Sequence, residues 1–476
     1  MKFSKNFTVL SQDEIQMIHE KVLKVLWEVG IMVEEKESLQ LLEKNGAKAD
    51  YELMRAYMPK ELVEHALEVK GHTYTMYDSL GNAVAQFDQG DETFYGTCGY
   101  STTYVDKEGV EHEGAYADTL RLAKLFDTID EFTIFEPSIQ PCDMPAELQD
   151  LYMVKAALVG TKKPIHTVAN SEENLEGIVE LLAEVQGGVE EVINKPHLIL
   201  NLCTFSPLGI RKDCCEVIRG ASKYNIPCMF SVGTMAGATA PVTLAGSLVE
   251  AFAEVIGHIV LTQCYKPGHP CGMLSASRAF DMKFAACTVA TPEYPVLKIA
   301  STQLAKFYKI PIGTVGFTGD SNEFDIQCGW EKMMNALATR QAGANCNLGV
   351  GMYSQLNQFS FEELAIDAEI VKVIERIGRG LEVTEDSLAF DVIKKEGVKA
   401  EFLMNPHTLS NFKSELMTPL ISDRMPYPNY LKREGKNNIV ERAAKQVAKY
   451  EKSYKYTKGQ EHEEALQKII DKYASK

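Results

Sequence analysis

Short apolar, β-branched runs alternate with amphipathic stretches of helical period along most of this chain. The run PIGTVGF (311–317) sets the pattern. A Pro opens it, small residues close it, and the polar loop TGDSNEFD leads into a helical pattern from about residue 325. Recurrence of that unit predicts eight strands. β1 lies within 92–105, β2 is EFTIFE (131–136), β3 is KPIHTV (163–168) and β4 is HLILNLCT (197–204). β5 is IPCMFSVG (226–233), β6 is HPCGMLS (269–275), β7 is the 311–317 run and β8 is NCNLGVG (345–351). Helical patterns follow in turn at about 116–126, 145–159, 171–185, 211–223, 243–264, through 299–308, 325–341 and 361–379.

Eight β/α units in about 290 residues is the count of an α/β protein built as a (β/α)8 TIM barrel. An open doubly wound sheet is the rival, disfavoured because no GxGxxG follows β1. Residues 1–90 read as a helical and hairpin extension. Ser11 and Glu14 make a capping box ahead of the stripe Ile15, Ile18, Val22, Val25 and Leu26, and residues 73–87 alternate about Leu80-Gly81-Asn82. The barrel then spans 91–385, and 386–476 is a C-terminal helical extension.

Composition narrows the function. Of 476 residues 45% are apolar and 24% charged, as in ordinary globular proteins. A net charge of -17 argues against a nucleic-acid footprint or an anionic membrane surface, and it suits a cationic substrate or simple solubility. Eleven scattered cysteines, an odd number with Cys214 and Cys215 adjacent, read as reduced thiols and a cytoplasmic protein. The N-terminus lacks an apolar h-region and nothing approaches 18 uninterrupted apolar residues, so neither signal peptide nor membrane span is expected.

In a barrel the chemistry sits at the C-terminal ends of the strands. Strand parity on β4 sends Leu198, Leu200 and Leu202 toward the helices, and His197, Ile199, Asn201 and Cys203 toward the axis. Asn201 is then either a bonded interior amide or a ligand contact. The same parity turns Met229, Ser231 and Gly233 inward on β5, and Asn347, Gly349 and Gly351 inward on β8, leaving open space there. Tyr95, Tyr100, Tyr104, Phe205, Phe317 and Tyr353, with Met235, fall at or beyond strand tops. Aromatic faces bind cations that cannot donate a hydrogen bond, although any one of these rings taken singly is more often core than cage. His269-Pro270-Cys271 with Cys346 has zinc-ligand chemistry at the wrong end of the barrel. Glu250, Glu254 and His258 share a helix face that reads as solvated or as an interface. No G-x-S-x-G, P-loop or HExxH occurs.

Five long segments carry a resemblance: SQDEIQMIHEKVLKVLWEVGIMVE, VDKEGVEHEGAYADTLRLAKLFDTID, AGATAPVTLAGSLVEAFAEVIGHIVLTQ (236–263), DIQCGWEKMMNALATRQAGANCNLGVG (325–351) and LMNPHTLSNFKSELMTPLISDRMPY (403–427). Through them nearly the whole chain resembles the trimethylamine methyltransferase superfamily of corrinoid-dependent demethylases. The resemblance implies a (β/α)8 barrel that moves a methyl group from an amine to Co(I) of a separate corrinoid protein. Trimethylamine-specific members carry pyrrolysine and none is written here, so the implied substrates are quaternary amines such as glycine betaine, carnitine or proline betaine. The corrinoid (cobalamin) is expected on a partner docked at the barrel mouth, because no DxHxxG motif occurs here. A homo-oligomer is expected. Where many members have a His on the last strand this chain has Gly349, so a His contact is not carried over. On this reading Glu136 or Asp320 offsets the substrate cation, and Asn201, Gln327 or His166 donates to a substrate carboxylate. Arg211 is a further anion partner unless it lies in solvent. The alternatives are a zinc-dependent methylcobamide:thiol methyltransferase and a non-catalytic betaine-binding homologue.

Overall fold

The computed structural model describes residues 7–88, 90, 92–433 and 438–475. Seven parallel strands form one sheet in the order β1, β8, β7, β6, β5, β4, β3. They are β1 Phe94–Gly96, β3 Ile165–Thr167, β4 Leu198–Cys203, β5 Cys228–Val232, β6 Cys271–Ser275, β7 Ile312–Val315 and β8 Cys346–Leu348. The predicted β2 is reduced to two bridged residues. Ile134 bridges Gly96 of β1 and Phe135 bridges Ile165 of β3, both in parallel sense. Pro137 follows Glu136 and has no N–H to continue the ladder. Predicted β1 is split as well: Gly99, at φ +102°, turns the chain, and Thr103–Val105 joins a separate rim sheet.

The helices between strands begin where local chemistry starts them. Ser11, Ser171, Asp325 and Ser360 each accept a backbone N–H of the first turn, and Ser11 with Glu14 completes the capping box. Leu244–Tyr265 is long and apolar enough to cross a membrane, yet most of it is buried inside the protein.

Two apolar clusters separate the inside of the sheet from its outside. Leu198, Leu200 and Leu202 pack in the outer cluster with the helices, and Ile199 and Met229 pack in the lumen. The lumen is closed at the strand N-termini by the hairpin Tyr74–Tyr77 and Ala83–Phe87, whose Tyr74, Met76, Ala85 and Phe87 join that inner cluster. Tyr74 stacks on Phe87 at 4.8 Å, and His197 Nδ1 meets the Tyr77 carbonyl at 2.8 Å.

β8 reverses the expected parity. Cys346 and Leu348 face the lumen, whereas Asn347 points out and donates to Thr339 Oγ1 at 2.7 Å. Gly349 and Gly351 therefore mark close packing and not open space. A Cβ on Gly349 would stand 2.7 Å from the Phe317 carbonyl, and one on Gly351 would enter the Phe359 ring. A strand of two glycines and one Asn carries no alternation from which parity could be read.

The last helices, Ile439–Ser453 and Glu463–Ala474, bury Ala443, Val447, Leu466, Ile470 and Tyr473 in the outer cluster, with the helices that flank the sheet. The segment between them and the barrel, at 381–431, is largely exposed.

Candidate functional site

At the open, C-terminal end of the strands the lumen changes character from apolar to polar. Glu136, just past the bridged pair, is buried, and its backbone N–H is held by Thr97 Oγ1 at 2.7 Å. Asn201 Nδ2 donates to Glu136 Oε1 at 3.2 Å, the Gly99 N–H donates to Oε2 at 2.9 Å, and His166 Nδ1 lies 3.5 Å from Oε1. Burial pushes the Glu136 carboxyl up. The charge and hydrogen bond of His166, with hydrogen bonds from Tyr100 and Cys98, outweigh that and hold it below the usual 4.5. The floor of the mouth thus keeps a buried carboxylate. Around it, His166 Nε2 and Asn201 Oδ1 are buried without a hydrogen-bond partner among the described residues. Such orphaned atoms are uncommon and mark a place for a ligand or water.

Tyr100 closes one side. Its hydroxyl accepts from the Val168 N–H at 3.2 Å and lies 3.4 Å from Thr167 Oγ1. Burial, with the Glu136 charge beside it, keeps that phenol protonated. Cys203 tops β4 and meets solvent through the mouth, although burial still pushes its thiol up. Three consecutive left-handed residues, Ser354, Gln355 and Leu356, follow β8, and Leu356 packs with Ala276 against the lumen cluster.

The opposite side carries positive charge that sequence reasoning missed. A hairpin of Arg278–Asp281 and Ala286–Thr288 follows β6 and pairs with Met235–Ala236, with Met235 opposite Arg278. Its turn is signalled by Asp281, whose Oδ1 accepts the N–H groups of Lys283 at 2.7 Å and Phe284 at 2.9 Å. Arg278 lies over Gly233, where a Cβ would stand 3.5 Å from Nη2, and Arg278 Nε is buried without a partner. Behind it Lys298 donates to the Ser277 carbonyl at 2.7 Å and lies 4.0 Å from the Tyr294 ring centroid. Burial drives the Lys298 ammonium well below its usual value, and the Arg278 charge adds to the shift. Among the described residues neither cation forms a carboxylate ion pair.

Of the sequence candidates, Tyr100, Glu136, His166 and Asn201 gather at the floor, and Met235 stands on the rim beside Arg278. Phe205 is exposed in the loop after β4. The others lie elsewhere. Tyr95 points into the helical layer, donates to Glu375 and meets Phe317 edge-on at 5.9 Å. Both rings belong to the outer cluster, so neither belongs to a cage at the mouth. Tyr353 is buried against Phe324 at 4.8 Å on the rim sheet. Asp320 accepts the Val289 and Ala290 N–H groups at 2.8 and 3.1 Å, tying the β6 hairpin to the loop after β7. Gln327 is exposed and donates to Glu331 at 2.7 Å. Gly349 and Gly351 are occupied by packing as described. Arg211 chelates Asp213 at the surface.

The other candidate constellations are only partly bonded, since Glu250 Oε1, His258 Nε2 and His269 Nδ1 are buried without a hydrogen-bond partner among the described residues. His269 Nε2 lies 3.6 Å from Cys228 Sγ, and no group of three metal-ligating side chains occurs among the described residues. Glu254 accepts from Thr204, Ser206 and the Leu208 N–H, so it fastens the loop after β4.

The family described as Trimethylamine methyltransferase (MTTB) matches residues 2–476. The glycine betaine methyltransferase of Desulfitobacterium hafniense (strain Y51) is 29% identical over 431 residues, 90% of this chain and 89% of that protein. The trimethylamine methyltransferase of Methanosarcina thermophila is 30% identical over 429 residues, 89% of this chain and 88% of that one. The crystal structure of the Methanosarcina barkeri monomethylamine methyltransferase superposes with a TM-score of 0.57 at 11% identity, covering 96% of this chain and 91% of that one, a likeness of fold. With the family match running the length of the sequence, this chain belongs to the trimethylamine methyltransferase family.

Proposed function

We propose that this chain transfers a methyl group from a betaine, a quaternary ammonium bearing a carboxylate, to Co(I) of a separate corrinoid protein. The observation that carries the reading is the charge arrangement of the mouth. A buried carboxylate, Glu136, stands on one side and an unpaired guanidinium, Arg278, on the other. A zwitterion complements both. Glu136 with Tyr100 receives the ammonium, and Arg278 receives the carboxylate in the bidentate manner suited to it. His166 and the Gly99 N–H hold Glu136 in place, and Asn201 Oδ1 faces the same space.

Holding both ends of the substrate fixes which N-methyl points out of the mouth, so the binding energy is used to align one bond with the acceptor. The leaving group is a neutral tertiary amine, so the transfer requires no proton from the protein. The sheet, on this reading, is a closed eight-stranded barrel completed by Ile134 and Phe135. Exposed Phe205, Val242, Met282, Phe284, Ile326 and Trp330 follow four of its strands and give a corrinoid protein an apolar rim to dock on.

The test is methylation of a Co(I) corrinoid protein, followed by absorbance, against a panel of betaines and trimethylamine. Turnover with a betaine and none with trimethylamine is expected. Silence across the panel with a competent acceptor overturns the reading.

A further inference from the structure

Outside the lumen, beside the loop that follows β4, a cavity of about 460 Å³ lies between the first helix and helix Leu244–Tyr265. Val25, Val29, Leu208, Pro241 and Val249 make its walls apolar, and its volume is that of a small-molecule site. Val25–Val29 is a single turn of π-helix that continues helix Gln12–Lys24, a rare geometry that concentrates at functional sites.

The polar groups of this cavity are incomplete. Glu250 Oε1 is buried without a hydrogen-bond partner among the described residues. Burial, and then the charge of Glu254 one turn on, push the Glu250 carboxyl up to about 7. Neither carboxyl has a cationic partner among the described residues. Lys21 and Lys24 line the same cavity, both exposed and neither in an ion pair among the described residues, with Glu28 one turn beyond. The cavity thus holds an acid that lacks a donor, bases that lack an anion, and aliphatic walls.

That set is complementary to an aliphatic zwitterion whose nitrogen carries a hydrogen. A quaternary ammonium has no such hydrogen and leaves Glu250 Oε1 unpaired. Transfer of one methyl from a betaine leaves a tertiary amine, which takes a proton from water, gains one N–H and keeps its carboxylate. We propose, on the betaine reading of the mouth, that this cavity is a second binding site, for the demethylated tertiary ammonium that the transfer leaves behind. Its N–H donates to Glu250, and Lys21 or Lys24 receives its carboxylate. Leu208 joins the site to the mouth. Its N–H donates to Glu254 at 3.0 Å, and Glu254 also holds Thr204 at 2.6 Å and Ser206 at 2.9 Å, in the loop that follows Asn201 and Cys203.

Isothermal titration of the full chain, without a corrinoid protein, tests this with two pairs that differ by one N-methyl: N,N-dimethylglycine against glycine betaine, and N-methylproline against proline betaine. At least one tertiary amine is expected to bind at a site that Glu250→Gln weakens about 10- to 100-fold, because one charged hydrogen bond is lost, while binding of its quaternary counterpart is unchanged. Val249→Trp, on a half-exposed wall, fills the cavity with every charge kept and is expected to abolish the same binding. Hydrogen exchange of residues 204–210 is expected to slow with the tertiary amine in the wild type and in neither variant. Should either variant not fold, replacement of the exposed Lys21 and Lys24 by Ala takes its place, with the same loss expected. Tertiary-amine binding that survives these substitutions overturns the proposal. So does its absence from the wild type, or an equal loss of betaine binding in Glu250→Gln. Silence of every betaine in the transfer assay, with the Glu250-dependent binding intact, overturns the reading of the mouth and supports this site alone.

Discussion

The two ends of the sheet's lumen are lined by the same strands and differ in chemistry. At the N-terminal end the hairpin side chains Met76 and Phe87 pack against Phe94, Ile199 and Met229, and apolar contact fills the lumen. At the C-terminal end, two residues further along β4 from Ile199, Asn201 meets Glu136 instead, and buried polar atoms are left without partners. Apolar packing fills the end where the chain supplies its own plug. On the proposed reading the other end is left polar for a ligand, because an unfilled polar pocket is costly until one enters.

That division can be broken at either end. Phe87→Ala should have the largest effect, about 3–5 kcal/mol of lost stability in denaturant melts, with the substrate KM of the remaining folded protein unchanged. A rise in KM with little loss of stability would contradict the assignment of that end. Glu136→Gln should do the reverse, lowering kcat/KM by about 100- to 1,000-fold while the melt shifts little. Wild-type turnover in that variant would remove the cation subsite.

Acid should separate the ends next. His197, buried against the hairpin, has its pKa pushed down to about 4 by desolvation. Its neutral form is the folded form, so its contribution is fully present above the unfolded value of about 6.5 and is lost as pH falls toward 4, a change of about 3 kcal/mol. His258 and His269 behave alike, each at about 4. Glu136, held below its usual 4.5, stays ionised over the same window. Stability should therefore fall between pH 6.5 and 4.5 while turnover per folded molecule holds, and activity lost ahead of the unfolding transition would contradict this. Arg278→Met should give the smallest effect, about 10- to 100-fold in KM for a betaine, because one charged hydrogen-bond partner is removed. An equal loss with a substrate lacking a carboxylate would show that Arg278 does not read that group.

Much of this was legible in the chain. The parity of β4 and β5 can be read because apolar residues alternate there with smaller or polar ones, and Asn201 follows from that parity, whereas Glu136 and His166 follow from the substrate class that the resemblance implies. β8 could not be read, since Cys-Asn-Leu followed by glycines has no apolar face to assign. Tyr95 and Phe317 misled because ending a strand does not say which layer a ring joins, and both turned to the helices. Arg278 was missed because its hairpin was absorbed into the approach to the next helix, although the Asp281 turn was there to be seen.

What the sequence determined by itself was local: seven of the eight expected strands, the capping box of Ser11 and Glu14, and the hairpin within 73–87. These rest on periodicity and neighbouring side chains, which a linear chain displays. Tertiary structure decided where that hairpin goes, that Ile134 and Phe135 bridge the sheet edges, and which polar atoms are left unpaired. Glu136 takes its partners from 30 and 65 residues further along the chain, at His166 and Asn201. Whether a buried atom is satisfied depends on such distant groups, and no local pattern encodes them.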